Sequence, residues 1–282
     1  MTDTQHVTLP TIAMLGAGSM GRAVLTGLLS PRVTVRGGIR VTNRSAARAA
    51  ELESMDGVTA YATETRADAN RAAVDGAEIV IVAVKPGMVP DLLREIASSL
   101  TPGAVVVSVA AGVTTETFES LLPESVSVVR SMPNTPAVVG KAVTGISAGT
   151  RSDADDLALV RTLFETVGEV VEVPESQLDA LSTISGSGPA YVFLLIEELT
   201  AAAVGKGFTP EQAATLVNGT FLGAAHLLVS SGEDPAELRR RVTSPGGTTE
   251  RALEVLRSAD LADLFARATD AALARARELA AS

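Results

Sequence analysis

The sequence predicts an α/β domain built on a parallel sheet over residues 1–173, followed by an all-helical domain over residues 174–282. Three observations predict this fold class. Strand-like and helix-like segments alternate regularly up to Val173. The segment from Glu78 to Val84 is continuously apolar, as expected of a parallel strand that is covered on both faces. After Pro174 no convincing strand appears, and the chain continues in long helical stretches.

The α/β half is predicted from its hydrophobic periodicity and its turn residues. The predicted strands are 11–15, 39–42, 58–60, 78–84, 104–109, 126–130, 142–148 and 169–173. The predicted helices between them are 22–29, 46–55, 64–74, 89–99, 115–122 and 153–166. Because the carboxyl ends of parallel strands line the ligand crevice of such a sheet, we expect Ala83 to Pro86 and the proline-stiffened loop 131–136 to border a ligand.

The helical half is predicted as five helices, at 189–204, 210–230, 235–242, 249–257 and 261–280. Two segments, 190–196 and 213–229, are apolar over more than one face and are rich in Ala and Gly. That pattern favours burial on several sides, which a subunit interface would provide. Burial within a single chain is the alternative.

A glycine-rich turn follows the first predicted strand. Its sequence is Gly16-Ala17-Gly18-Ser19-Met20-Gly21, and helical spacing begins directly after it. The first glycine permits a tight turn, the second lets backbone approach a pyrophosphate, and the third lets the helix pack closely against the strand. The N-terminus of that helix then faces an anion. Because a strand, this turn and a helix occur together, we predict a Rossmann-type dinucleotide-binding domain.

The end of the second strand indicates which dinucleotide binds. It lies about twenty residues after the last glycine, where such folds place the residue that contacts the ribose. An NAD-binding protein needs Asp or Glu there, whereas this chain has Asn43-Arg44-Ser45, whose guanidinium suits a 2′-phosphate. NADP is therefore predicted over NAD. The alternative is that Arg44 is simply a solvated surface residue.

Composition excludes several other classes of function. With 23 Lys and Arg residues against 33 Asp and Glu, the formal net charge is −10, so no basic face for nucleic acid is expected. The sequence contains no cysteine, which excludes a disulfide framework, a thiolate nucleophile and a cysteine-based metal site. The two histidines, His6 and His226, have no obvious acidic or metal-binding partner nearby in sequence, and no metal is predicted.

Composition also sets the expected compartment. The 282 residues are 46% hydrophobic, which is ample for the cores of two domains. The polar first ten residues lack the basic and apolar regions of a signal peptide, and no run reaches the roughly eighteen apolar residues of a membrane span. We therefore expect a cytoplasmic protein without a membrane partner.

Two loops of small residues interrupt the helical half. The first is Ser185-Gly186-Ser187-Gly188-Pro189, and the second is Thr243-Ser244-Pro245-Gly246-Gly247-Thr248-Thr249-Glu250. Both combine backbone N–H groups, hydroxyls and a following helix N-terminus, a construction that binds a carboxylate or phosphate without a charged side chain. A helix cap alone would need neither two adjacent glycines nor so many hydroxyls.

Five motifs together resemble the pyrroline-5-carboxylate reductase family. They are GAGSMG at 16–21, AVKP at 83–86, MPNTP at 132–136, SGSGPAY at 185–191 and TSPGGTT at 243–249. The last two are the specific ones, since many Rossmann domains share the first. The resemblance implies reduction of 1-pyrroline-5-carboxylate to L-proline with NADPH or NADH. It also implies a homodimer whose helical domains interlock, and rings of such dimers occur in the family.

The resemblance also implies the site residues. The implied cofactor contacts are Gly16, Ala17, Gly18, Ser19, Met20, Gly21, Asn43, Arg44, Asn70, Ala83, Val84, Lys85, Pro86 and Asn134. The implied substrate contacts are Ser182, Ser244, Gly246, Gly247 and Thr248, with Thr249 as the catalytic residue. Ser182 departs from the family, which often has threonine there, but the hydroxyl is kept.

The chemistry agrees with this assignment. Reduction of a cyclic imine needs a hydride donor, an anchor for the carboxylate and a hydrogen-bond donor at the ring nitrogen, but no thiol or metal. The pKa of an alcohol lies far above neutrality, so Thr249 is expected to orient the nitrogen while the proton comes ultimately from solvent. Catalysis then rests mainly on proximity and orientation.

Two alternatives stay open at this point. A β-hydroxyacid dehydrogenase would join a Rossmann domain to helices but needs a lysine near its substrate. The chain has only Lys85, Lys141 and Lys206, and the one in the helical half lies between glycines at a helix end. A non-catalytic NADP-binding sensor is the second alternative, although a sensor would not need the SPGGTT loop.

Overall fold

The computed structural model describes residues 6–280, which divide into two compact units. The first unit comprises 6–187 together with 273–280, and the second comprises Gly188–Ala272. The predicted fold class is confirmed, because the strands all lie before residue 173 and the described chain after it is helical.

The first unit is built around an eight-stranded sheet. Its strands and those of a small second sheet are β1 Val7–Leu9, β2 Ile12–Leu15, β3 Val33–Val35, β4 Ile39–Asn43, β5 Val58–Ala62, β6 Ile79–Val82, β7 Val105–Ser108, β8 Ser127–Met132, β9 Ala142–Ala148 and β10 Gly168–Glu172. The order in the large sheet is β10-β9-β8-β7-β6-β2-β4-β5. Every neighbouring pair is parallel except β8 and β9.

Helices cover both faces of this sheet. They are α1 Ser19–Leu28, α2 Ala46–Glu53, α3 Ala69–Val74, α4 Val89–Ile96, α5 Thr115–Leu121, α6 Ala154–Glu165 and α7 Glu175–Leu181. The central strand β6 shows why its sequence is continuously apolar. Ile79 and Ile81 pack into the core on one face with α1 and α6, while Val80 and Val82 pack with α4 and α5 on the other. All four side chains are fully buried.

Three details of the first unit differ from the sequence predictions. The polar leader contributes strand β1, which pairs in parallel with β3, and neither strand was predicted. The helix predicted over 64–74 begins only at Ala69, because Arg66 forms an ion pair with Asp68 and stacks on the Tyr61 ring in the turn before it.

The third difference is helix α7, followed by a π-helical turn at Ser182–Gly186. Leu178 of α7 is fully buried, and the neighbouring Leu181 lies so close to β9 that a Cβ at Gly145 would be 2.6 Å from its Cδ1. By packing, this segment belongs to the first unit, although the predicted boundary placed it after residue 173. The boundaries 1–173 and 174–282 stay a proposal about domain organisation.

The second unit contains α8 Gly188–Gly205, α9 Pro210–Ser231, α10 Pro235–Arg241, α11 Thr248–Ser258 and most of α12 Leu261–Ala280. Large apolar side chains are exposed along α8 and α9, among them Phe193 at 65% and Val229 at 80%. By length and mean hydropathy alone, Glu175–Gly205 and Pro210–Ser231 are apolar enough to cross a membrane, a test that core helices of other proteins also pass. The mean hydropathy is high because Leu, Val and Ala are frequent in both segments, although polar residues interrupt any continuous apolar run.

Candidate active site

The register of the sheet brings the first group of predicted residues together. Leu15 at the end of β2 pairs with Thr42 of β4 on one side and with Val82 of β6 on the other. The glycine turn, the Asn43-Arg44 pair and the AVKP segment therefore start at the same edge. Because these are carboxyl ends of parallel strands at the centre of the sheet, this edge is where a dinucleotide binds in such folds.

The three glycines of the turn have the geometry that their predicted roles require. Gly16 has a φ of +91°, and a Cβ there would lie 2.8 Å from Val84 Cγ1. A Cβ at Gly21 would lie 2.9 Å from the Gly16 carbonyl oxygen, so α1 packs directly on the turn. A Cβ at Gly18 would meet no atom within 4 Å. The turn is thus closed on the protein side and open at Gly18.

The N-terminus of α1 is available to an anion. Gly18 is its N-cap and offers no side chain, while Ala17 is buried and donates its N–H to the Thr42 carbonyl at 3.2 Å. Within the described residues, the N–H groups of Ser19 and Met20 in the first turn have no acceptor. Unpaired N–H groups and the helix dipole together favour a phosphate here.

Three cationic side chains line the cleft in front of this turn. The cleft has a volume of ≈ 560 Å³, and Arg44, Arg48 and Lys85 contribute to its walls together with Gly16 and Gly18. None of the three forms an ion pair with a described carboxylate. In a chain with a net charge of −10, three unpaired cations in one cleft favour a polyanionic ligand.

A second cleft of ≈ 300 Å³ adjoins the first and shares Gly16, Asn43, Arg44, Val84 and Met88 with it. Asn70 also lines this cleft, where its amide donates to Glu95 Oε2 at 3.0 Å. Pro86 begins a short 3₁₀ turn, Pro86–Met88, beside both clefts.

Asn43 has a structural role besides lining the clefts. Its amide donates to the Ala17 carbonyl at 3.2 Å and accepts the Ser45 N–H at 3.2 Å. It therefore ties the glycine turn to the loop that carries Arg44, which an aspartate, lacking a donor, would not do.

Asn134 does not line these clefts. Its side chain is buried, accepts the Val143 N–H at 2.9 Å and donates to the Ser185 carbonyl at 2.9 Å. The structure thus uses this amide to join the MPNTP loop to β9 and to the π-helical turn. One amide hydrogen is left for a ligand, and the predicted cofactor contact at Asn134 stays a prediction.

The remaining predicted residue of the first unit is Ser182, at the start of the π-helical turn. Its hydroxyl is engaged with the Asp179 carbonyl at 2.7 Å. A π-helical turn often marks a functional site in a helix, but the Ser182 hydroxyl donates its hydrogen locally and can only accept a bond from a substrate. Its substrate role stays a prediction.

The predicted substrate loop lies in the second unit and forms a tight turn before α11. Gly247 donates its N–H to the Ser244 carbonyl at 3.0 Å, and Gly246 between them has a φ of +70°. With Pro245 at the second position, this geometry matches a type II β-turn. A Cβ at Gly247 would lie 2.9 Å from the Ser244 oxygen. Both glycines are therefore required by the turn itself.

Two backbone N–H groups of this loop already have acceptors within the protein. The Gly246 N–H donates to Glu250 Oε2 at 2.8 Å, and the Gly247 N–H is used within the turn. Within the described chain, the N–H groups of Thr248 and Thr249 in the first turn of α11 have no acceptor, and Gly247 as N-cap supplies no side chain. The substrate contacts predicted at Gly246, Gly247 and Thr248 stay predictions, and of these three residues only Thr248 keeps an unpaired N–H.

Three polar residues of these sites were given no role from the sequence, namely Arg48, Glu95 and Glu250. Arg48 lies in the first turn of α2, directly after the loop that carries Arg44, so its nearness in sequence to Arg44 could have indicated it. Glu250 stands at the third position of α11, where a carboxylate often caps a helix. Glu95 carries no local signal, because its partner Asn70 lies on another helix.

Two family models match the chain. Residues 175–279 match a pyrroline-5-carboxylate reductase dimerisation domain, and residues 11–112 match an NADP oxidoreductase family described as coenzyme F420-dependent. A pyrroline-5-carboxylate reductase from Corynebacterium melassecola is 39% identical over 274 residues, which span 96% of this chain and 99% of the relative.

Solved structures of pyrroline-5-carboxylate reductases also match the chain. A pyrroline-5-carboxylate reductase from Coxiella burnetii is 37% identical with a TM-score of 0.85, and the match covers 98% of this chain and 99% of that one. The Plasmodium falciparum pyrroline carboxylate reductase, solved with NADP bound, has a TM-score of 0.80 at 24% identity and covers 96% of this chain and 98% of its own. At that identity the second match shows the shared fold alone.

Proposed function

The chain belongs to the pyrroline-5-carboxylate reductase family, and from that membership we propose which of its residues carry the reaction. It is an NAD(P)H-dependent oxidoreductase that reduces 1-pyrroline-5-carboxylate to L-proline, the final step of proline biosynthesis. Membership of this family displaces both alternatives, the β-hydroxyacid dehydrogenase and the non-catalytic sensor.

The dinucleotide fits the edge of the sheet. The open side at Gly18 and the free N–H groups at the start of α1 would hold its pyrophosphate. When bound, NADPH or NADH supplies the hydride. The chain's own part is to bind and orient the reactants, because neither the substrate loop nor the clefts contain a thiol or an imidazole among the described residues.

The observation that carries the proposal for the substrate is the first turn of α11. Two unpaired backbone N–H groups, at Thr248 and Thr249, donate hydrogen bonds to the substrate carboxylate. The Thr249 hydroxyl donates a hydrogen bond to the ring nitrogen and orients the imine carbon, and Ser244 of the same loop supplies a further hydroxyl. The proton of the product amine comes ultimately from solvent.

One assay tests the proposed function. NADPH absorbance is followed with the purified chain and either 1-pyrroline-5-carboxylate, a 3-hydroxy acid with NADP, or no substrate. We expect oxidation only with the cyclic imine. Turnover of the hydroxy acid, or cofactor binding without any turnover, would refute it.

We further propose that NADPH is preferred over NADH. The ribose 2′-phosphate, which NADPH has and NADH lacks, adds up to two negative charges, and Arg44 and Arg48 stand unpaired on the wall of the larger cleft. We expect Arg44→Asp to raise the KM for NADPH at least tenfold more than the KM for NADH. Arg32→Asp, which makes the same charge change at an exposed residue outside the clefts, serves as the control. Equal effects of Arg44→Asp on both cofactors would contradict the preference.

The chain self-associates through its helical domain, which is a pyrroline-5-carboxylate reductase dimerisation domain. We propose that the unit formed is a homodimer, with a ring of dimers as a larger assembly, and that the protein is soluble and cytoplasmic. The exposed apolar side chains of α8 and α9 would then be buried against a second copy and not in lipid.

Light scattering at micromolar protein checks the assembly. We expect a mass of at least two chains, and a lower mass for Phe193→Glu, which places a charge among the exposed apolar side chains of α8. A monomer mass that does not change with concentration would refute the dimer.

A further inference from the structure

The side chain of Glu250 reaches back from α11 to the substrate turn. Its Oε2 accepts the Gly246 N–H at 2.8 Å, and the side chain is half-buried. In an ordinary capping box a glutamate at the third helical position binds the N–H of the N-cap residue. Here the N-cap is Gly247, whose N–H is already bound to Ser244, and the glutamate binds one residue farther out.

This difference gives Glu250 a task beyond capping. The bond fixes the one residue of the turn with a left-handed backbone, Gly246 at a φ of +70°. A glycine moves readily between backbone conformations, whereas a hydrogen bond from a backbone N–H to a carboxylate is among the stronger ones. The turn is therefore held in one conformation before substrate arrives, with the Thr248 and Thr249 N–H groups left free.

The charge of Glu250 has cationic neighbours. The carboxylate lines a polar cleft of ≈ 330 Å³ between α10 and α11, together with Arg239, Arg240, Thr243, Leu253, Glu254 and Arg257. Glu254 pairs with Arg251, and Arg240 pairs with Glu237. Arg239 and Arg257 have no ion-pair partner in the described part of the chain. Their positive charges offset the negative charge of Glu250, which lies near the proposed site of the substrate carboxylate.

We propose that Glu250 is a positioning residue for substrate binding, acting through the Gly246 N–H. This inference rests on the proposed substrate site at Thr248 and Thr249. A preorganised turn lowers the cost of ordering the loop when the substrate binds. Loss of the bond is therefore expressed in the KM for 1-pyrroline-5-carboxylate and not in the KM for NADPH.

Three variants and a control test this role by steady-state kinetics. Glu250→Ala removes the bond, Glu250→Asp keeps the charge on a side chain one methylene too short, and Glu250→Gln keeps an acceptor of the right length without the charge. We expect the Ala and Asp variants to raise the imine KM about tenfold or more. The imine KM of the Gln variant should stay close to that of wild type, and the NADPH KM should be unchanged in all three variants.

Glu254→Ala, one turn farther along α11 and paired only with exposed Arg251, should behave like wild type. An imine KM of Glu250→Ala equal to that of Glu254→Ala would overturn the inference, as would a Gln variant no better than Ala. Thermal unfolding of each variant separates a folding defect from the kinetic effect, and the Gln and Asp variants decide the question if Ala does not fold. A wild-type chain that reduces no imine counts instead against the proposed function.

Discussion

Replacing Thr249 by alanine is expected to lower turnover of 1-pyrroline-5-carboxylate by roughly ten- to a thousandfold, while folding and NADPH binding are retained. The expected range corresponds to about 1.4–4 kcal/mol of lost transition-state interaction. The structure explains why the fold should tolerate the change. The side chain is exposed in the first turn of α11, and its hydroxyl makes no hydrogen bond within the described residues. Nothing in the helix itself therefore requires this hydroxyl.

Two further variants make the result specific. Thr249→Ser keeps a hydroxyl and should recover part of the lost turnover. Thr162→Ala in α6, which removes a hydroxyl bound to the Ala158 carbonyl, should leave turnover unchanged and reports the cost of a simple helical Thr-to-Ala change. If folded Thr249→Ala reduces the imine with near wild-type turnover and KM, the donor must be sought at Ser182, Ser244 or a bound water.

The sheet and its covering helices could be predicted because their signals are local. A continuously apolar segment such as β6 is readable as a strand buried on both faces, and the structure places its alternate side chains in two separate cores. Strands β1 and β3 have three residues each and pair with one another although β2 and α1 lie between them in the chain. Such short strands carry too little periodicity for recognition in the sequence.

The site was predicted in part for the same reason. The positions of Gly16 and Gly246, both with positive φ, follow from local turn chemistry. Local turn chemistry does not show which N–H groups of the turn before α11 stay free. That depends on the side-chain rotamer of Glu250, whose carboxylate accepts the Gly246 N–H. Likewise, the use of the Asn134 amide between Val143 and Ser185 depends on contacts between distant segments.

Helix α7 was not predicted from the sequence, because polar contacts with residues distant in sequence hold it in place. Arg130 of β8 is only 3% exposed, and its guanidinium pairs with Glu175 Oε1 at 3.3 Å and with Asp179 Oδ1 at 2.6 Å, both on α7. Glu175 also accepts the N–H and the hydroxyl of Thr115. None of these partners is close in sequence. The cluster anchors α7, and with it the π-helical turn that carries Ser182.

Arg130→Met is therefore expected to lower the free energy of unfolding by about 3 kcal/mol. That is the lower end of the range for removing one partner of a buried ion pair, since the two carboxylates left behind are each 28% exposed and keep part of their hydration. Urea unfolding of the reductase measures this change in the free energy of unfolding. Arg94→Met, which breaks an exposed pair with Asp91 on α4, should cost less than about 1 kcal/mol and serves as the control. Adding Glu175→Gln and Asp179→Asn to Arg130→Met should restore part of the loss, because no unpaired carboxylate then remains. If Arg130→Met costs no more than Arg94→Met, the cluster does not anchor α7.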